Sequence, residues 1–161
     1  MRKVRWNTVA FVVYCAVMFL LLFYRARPDT AAPGFSYWGW VKEHTHLIPL
    51  STTRGFVHVL TRPEMYLSWM GPDTYWINCR HAIVNLVGNV VMFVPLGFFP
   101  PRIRADFQRL WKTLLLAAVI MILVEVTQVL TLLGNCDVDD LILNLTGAAI
   151  GYGIHRLIRR R

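Results

Sequence analysis

The sequence predicts an all-α integral membrane bundle of four transmembrane helices, with both termini cytoplasmic and one long interfacial connection on the outer side. Hydrophobic residues make up 56% of the 161 and the mean hydropathy is +0.46, more apolar than an ordinary soluble domain. Four apolar stretches, each about long enough to cross a hydrocarbon layer of roughly 30 Å, alternate with segments rich in charge, proline or glycine. The polar side chains that enter those stretches gather at one depth, as they must if they are to face one another and avoid lipid. Residues 1–161 read as a single domain.

The first stretch, Trp6 to Tyr24, is uncharged over 19 residues, a helix of about 28 Å at 1.5 Å per residue. A cleaved leader would have a shorter apolar run, and Arg25 and Arg27 stand between this one and the small pair Ala31-Ala32, so it reads as a retained span. Residues 25 to 82 form the long connection. It carries Trp38, Trp40, Trp69 and Trp76 with Phe35, Tyr37, Phe56, Tyr66 and Tyr75, side chains that favour the headgroup level. This segment is expected to lie on the membrane surface and cap the bundle. Phe56 to Met70 either forms a short interfacial helix, with Pro63 at its start or at a kink, or stays an ordered loop.

The second, third and fourth spans are placed at Ile83 to Phe99, Trp111 to Leu133 and Leu141 to about Ile158. Pro95, Gly97, Pro100 and Pro101 are expected to kink and then stop the second span, since proline cannot donate to the helical ladder.

Basic residues set the orientation. Arg2, Lys3, Arg5, Arg102, Arg104, Arg109, Lys112, Arg156 and Arg159 to Arg161 amount to 11 of the 17 Lys and Arg, and all flank the side taken as cytoplasmic. That side sums to about +10 and the opposite side to about −1. The same split accounts for the sequence pI near 9.9 and argues against nucleic-acid binding, because the surplus charge is spread over three short flanks.

Helical rise places Asn85 and Asn89 about 3 and 9 Å below the outer end of the second span. Glu125 and Gln128 lie about 12 and 7.5 Å below the end of the third, and Asn144 about 4.5 Å inside the fourth. Each pair shares a helix face by its spacing of four or three. In the fourth span Asp140, Asn144, Gly147 and Gly151 form one stripe, and Gly147 to Gly151 is a GxxxG pattern that lets a neighbouring helix approach closely. Asp137, Asp139 and Asp140 open that span, where carboxylates can cap a helix N-terminus.

Two readings of this layer stand side by side. Amide side chains in membranes often bond across helices simply as packing glue, at about 0.6 kcal/mol per pair. Glu125 fits that reading least, since a glutamine would pack there without the cost of an intramembrane carboxyl. Candidate binding residues are therefore Asn85, Asn89, Glu125, Gln128, Asp137, Asp139, Asp140 and Asn144, with Glu125, Asp137 and Asp140 as candidate catalytic groups and Gly147 and Gly151 as packing positions.

Cys15 lies within the first span, while Cys79 and Cys136 both fall on the outer side, where a disulfide between them is permitted. His44, His46 and His58 lack a metal-ligand spacing and read as interfacial histidines. No cofactor is expected, and a divalent cation stays an option.

Three motifs in register resemble the VanZ-like family of membrane proteins. They are Asn85-Leu-Val-Gly88-Asn89-Val-Val-Met-Phe93-Val-Pro95-Leu-Gly97, then Glu125-Val-Thr-Gln128, then Asp137-Val-Asp139-Asp140-Leu-Ile-Leu-Asn144-Leu-Thr-Gly147-Ala-Ala-Ile-Gly151-Tyr152. His46-Leu-Ile-Pro49-Leu50 is similar to the family's Asn-Leu-x-Pro-Phe element, with His46 for Asn and Leu50 for Phe. Relatives often carry an Arg before the Asp-rich motif, where this chain has Gly134, Asn135 and Cys136. The resemblance implies a multi-pass protein of the bacterial cytoplasmic membrane, from a family whose founding member is associated with low-level teicoplanin resistance.

Three functions are weighed on this basis. One is a non-enzymatic protein whose outer-leaflet polar pocket meets a lipoglycopeptide or its lipid-linked target. Another is an intramembrane enzyme on a lipid-linked envelope precursor, with Glu125 as general acid or base and Asp137 and Asp140 holding a cation over a phosphate. The third, a carrier using Glu125 as a protonatable site, is weakened by the lack of an internal repeat. Expected partners are the lipid bilayer and such a lipid-linked molecule, with a homo-oligomer through the glycine stripe as an option.

Overall fold

The structure, a computed structural model, describes residues 6–24, 30 and 34–160. Arg2, Lys3, Arg5, Arg25, Arg27, Asp29, the Ala31-Ala32 pair and Arg161 lie outside the described residues. In chain order the elements are α1 (Trp6–Phe23), α2 (Tyr37–Glu43), a two-residue strand β1 (Thr45–His46), α3 (Ser51–Thr61), α4 (Pro63–Met70), α5 (Pro72–Phe98) and α6 (Pro100–Ile103). A single 3-10 turn (Ala105–Gln108) leads to α7 (Leu110–Leu130), a second short strand β2 (Cys136–Asp137) and α8 (Val138–Arg160). Among the described residues four helices are long and apolar enough to cross a membrane: α1, α5 with its continuation α6, α7 and α8.

Most of the long connection is helical. Pro63 occupies the first turn of α4, where a missing N–H costs nothing, and the chain breaks at Arg62 between α3 and α4. The second membrane helix begins at Pro72, well before Ile83, again with proline in its first turn and Asp73 beside it to complement the helix dipole. Asp73, Arg80 and His81 keep this first part from registering as an apolar run. At its other end the helix passes through Pro95 and ends at Phe98, just before Pro100-Pro101.

The third helix stops at Leu130, short of Leu133. There the chain turns through Leu132 in the left-handed region, φ 59°, and the Leu133 amide donates back to the Gln128 carbonyl at 2.8 Å. The fourth starts at Val138 rather than Leu141, because the Asp137 carboxylate accepts the Asp139 amide at 2.8 Å and caps the first turn.

The buried cluster of Met18, Phe93, Leu96, Ala117, Met121 and Ala148 joins all four long helices. Outward-facing Phe19, Leu20, Val87, Val91, Leu115 and Leu123 are exposed, the composition a lipid-facing surface requires. The closest approach is between α5 and α8. A Cβ added at Gly147 would lie 2.0 Å from the Val90 carbonyl oxygen, one at Gly151 1.9 Å from that of Val94, and one at Gly97 1.8 Å from that of Ala148. Gly97 is therefore a contact residue rather than a helix stop, and the crossing uses small residues from both partners. Tyr14 ties α1 to α5 by donating to the Met92 carbonyl at 2.9 Å.

Candidate functional site

Asn85 and Asn89, one turn apart on α5, both donate from Nδ2 to Oδ1 of Asp140 on α8, at 3.3 and 2.6 Å. On α7, buried Glu125 accepts the Asp137 amide at 3.0 Å, and Gln128 donates to the Leu22 carbonyl at the end of α1 at 2.7 Å. These side chains surround a cavity of about 590 Å³. Its lining is mixed: polar side chains of His81, Asn85, Asn89, Glu125, Gln128, Asn135 and Asp140 stand beside apolar ones of Leu21, Leu22, Phe56, Val84, Met92 and Met121, and α5 and α7 each contribute both kinds.

The remaining candidates lie elsewhere. Asp139 is 1% exposed and accepts the backbone amides of Leu50 and, at 2.8 Å, Thr53. It thus caps α3, which has no side-chain cap of its own and whose entry residue Leu50 is held at φ 63°. Asp137 takes the Thr52 hydroxyl at 2.6 Å on one oxygen and the Asp139 amide on the other. Parallel pairing of Thr45 with Cys136 and His46 with Asp137 completes this bracket. The segment around His46 to Leu50 and the Asp-rich segment are therefore joined directly.

Asn144, 1% exposed, donates to Met121 Sδ at 2.9 Å, and its Oδ1 has no partner among the described residues. It does not line the polar cavity. Asp137 and Asp140 are engaged separately, one by Thr52 and the α8 N-terminus, the other by the two asparagines of α5. Among the described residues no three His, Cys, Asp or Glu side chains are grouped to hold a metal.

His81 belongs to the cavity although the sequence reading passed over it. The signal was available: His81, Asn85 and Asn89 are spaced four apart and share one helix face. Asn135 and Phe56 carried no such signal, since each reaches the cavity from a connection. The Cys79–Cys136 disulfide that the sequence permits is not formed; both thiols are free. Cys79 is buried within α5, while Cys136 is fixed in the β1–β2 pairing with its amide on the His44 carbonyl at 2.8 Å. Burial raises the Cys136 thiol pKa first, and the nearby Glu125 and Asp137 carboxylates raise it further. His44 stacks on Trp40 with ring centroids 3.8 Å apart, and His58 meets the Tyr66 hydroxyl at 3.1 Å.

Residues 11–159 match the family described as VanZ/LLP1, a match that includes the bracket, the cavity and the α5–α8 crossing. This chain belongs to the VanZ/LLP1 family. It is a VanZ-like multi-pass membrane protein, of a family linked to glycopeptide resistance. No curated protein and no solved structure gives a match.

Proposed function

We propose that this VanZ-like protein works at the outer face of a bacterial cytoplasmic membrane, with its termini inside. There its cavity receives the head end of a lipid-anchored envelope molecule, either a lipid-linked precursor or a lipoglycopeptide. The effect is a contribution to low-level teicoplanin resistance or to envelope homeostasis. The observation that carries this reading is the mixed lining of the cavity, in which the polar groups of His81, Asn85, Asn89, Glu125, Gln128 and Asp140 and the apolar side chains of Leu21, Leu22, Val84, Met92 and Met121 border one space. A molecule with both polar and apolar parts matches such a lining, and leaving so many polar groups at membrane depth without such a purpose is costly.

The test is teicoplanin susceptibility in a sensitive host expressing wild type, Glu125→Gln or Asp140→Asn at matched membrane levels. Protection by wild type and loss in both variants supports the reading. Equal protection by the variants would make the carboxylates structural, and no protection by wild type would remove the resistance role.

A second reading, an intramembrane enzyme on a lipid-linked precursor, is favoured by one observation: Glu125, Asp140 and His81 reach the same cavity from two membrane helices and the outer turns of α5. Titratable groups converging from separate elements are what general acid–base work needs. Loss of the precursor's chemical turnover in Glu125→Gln, together with retained binding, distinguishes this from simple capture. A divalent cation belongs to this reading alone, and chelator sensitivity of turnover tests it.

A further inference from the structure

The opposite end of the bundle holds a second set of polar groups that the cavity does not use. His155 on α8 is only 5% exposed, and among the described residues neither ring nitrogen has a hydrogen-bond partner. An imidazole always carries at least one N–H to donate, and buried donors of this kind are nearly always satisfied. Two rings pack beside it, Phe98 in an edge-to-face arrangement with centroids 6.4 Å apart and Tyr152 tilted at 6.2 Å. Packing thus explains where the ring sits, and leaves its polar edge unaccounted for.

The ring borders a cavity of about 420 Å³ whose charged lining residues are Arg102 and Arg159, with Gln108 and Asn7 as further polar groups. These groups are positioned. Arg159 donates from Nη1 to Gln108 Oε1 at 2.7 Å, the Gln108 carbonyl accepts the Tyr152 hydroxyl at 2.6 Å, and the Arg102 guanidinium lies 4.7 Å over the Phe98 ring. Among the described residues no carboxylate lines the cavity. The acid of this region, Asp106, is paired with Arg104 at 2.9 Å on the exposed surface. Two guanidiniums around one space repel each other until an anion enters, the imidazole adds an N–H donor, and a guanidinium's forked donors match the oxygens of a phosphate.

We propose that this pocket binds a phosphate group, supplied either by the head of an anionic phospholipid or by a small phosphate anion. The site sits where the membrane helices end: Arg102 follows the last turn of α5, Gln108 precedes α7, and His155 and Arg159 occupy the final turns of α8. That is the headgroup level of a bilayer, where each Arg adds roughly five-fold to the hold on an anionic lipid. The inference stands apart from the proposed function, since it shares no residue with the other cavity.

The experiment uses the full chain in neutral detergent. Native mass spectrometry follows retention of phosphatidylglycerol against phosphatidylcholine, and thermal unfolding is recorded in inorganic phosphate against chloride at equal ionic strength. The variants are Arg102→Gln, His155→Gln and, as a charge control outside the pocket, Arg104→Gln. Preferential retention of phosphatidylglycerol, reduced about five-fold in Arg102→Gln but not in Arg104→Gln, establishes the site with lipid as its source. Stabilisation by inorganic phosphate that is lost in Arg102→Gln, without lipid preference, establishes it with a small anion as its source. If His155→Gln fails to fold, the Arg102 pair of measurements decides. The proposal is overturned if neither phosphate source is preferred by wild type, or if Arg104→Gln loses as much as Arg102→Gln.

Discussion

Asp139 accepts the backbone amide of Thr53 at 2.8 Å, across 86 residues of sequence. A carboxylate at the start of one membrane helix is thereby the N-terminal cap of a helix in the connection, and the connection is pinned to the bundle rather than merely resting on the membrane. Asp139→Ala should remove the cap from the Leu50 and Thr53 amides in a part-buried setting, at a cost of about 0.5–2 kcal/mol. Asp139→Asn should lose less, because its amide oxygen can still accept. Thermal unfolding in detergent gives the cost, and hydrogen exchange at residues 50–53 gives its location. Unchanged protection there in Asp139→Ala would show that the cap is not formed.

The α5–α8 crossing makes a sharper prediction. An added methyl at Gly97, Gly147 or Gly151 would fall within 2.0 Å of a backbone carbonyl oxygen, and backbone cannot rotate away. Each Gly→Ala change should destabilise by about 1–3 kcal/mol or more through overpacking. Gly153→Ala, with nothing within 4 Å of its added Cβ, should be nearly neutral or slightly stabilising. Equal effects at all four positions would mean that helix propensity, not the close approach, governs.

The Asn89–Asp140 bond, at 2.6 Å, should register in a double-mutant cycle. With Asn89→Ala and Asp140→Ala as single changes, the coupling energy should be about 1–2 kcal/mol, between the average for interhelical bonds in membranes and that for bonds to charged groups. Additive effects would show the two side chains to be independent.

Cys136 reports on the carboxylates beside it. Its pKa is raised above the ordinary thiol value, by burial and then by Glu125 and Asp137, so at a given pH less of it is the reactive thiolate. Alkylation of Cys136 should therefore rise with pH along a curve displaced to the alkaline side of a free thiol. Glu125→Gln removes one of the raising charges and should move the curve back toward lower pH. The measurement is alkylation rate against pH in a variant retaining only this cysteine. No movement in Glu125→Gln would show that burial alone sets the thiol.

Local properties of the chain were enough to read the four membrane helices, their approximate limits and the common depth of Asn85, Asn89, Glu125 and Gln128, because hydropathy and helical rise need no knowledge of partners. Spacing by four also put Asn85 and Asn89 on one face, and would have added His81 had that position been read as helix. It was not, because the Pro72 to Ala82 turns of α5 are too polar to stand out as a span. Capping by proline and by Asp137 moved the starts of α4, α5 and α8 for equally local reasons, ones that hydropathy does not weigh.

What each carboxylate meets could not be read in this way. Asp137, Asp139 and Asp140 are adjacent and chemically alike, yet one caps its own helix and holds Thr52, one caps α3, and one takes two asparagines from α5. Asp139 and Asp140 are turned about 100° from each other on α8, while Asp137 stands before the helix in β2, so the three face different directions. Which partner stands in each direction is decided by chain more than fifty residues away. Gly97 illustrates the same division: beside Pro95 it looked like the end of a helix, and only the approach of Ala148 shows why no side chain fits there. That polar groups would meet inside an apolar bundle was legible from the order of residues. The tertiary structure alone decided which of them line a cavity and which hold the walls together, because that choice rests on contacts between segments whose order in the chain carries no record of their distance in space.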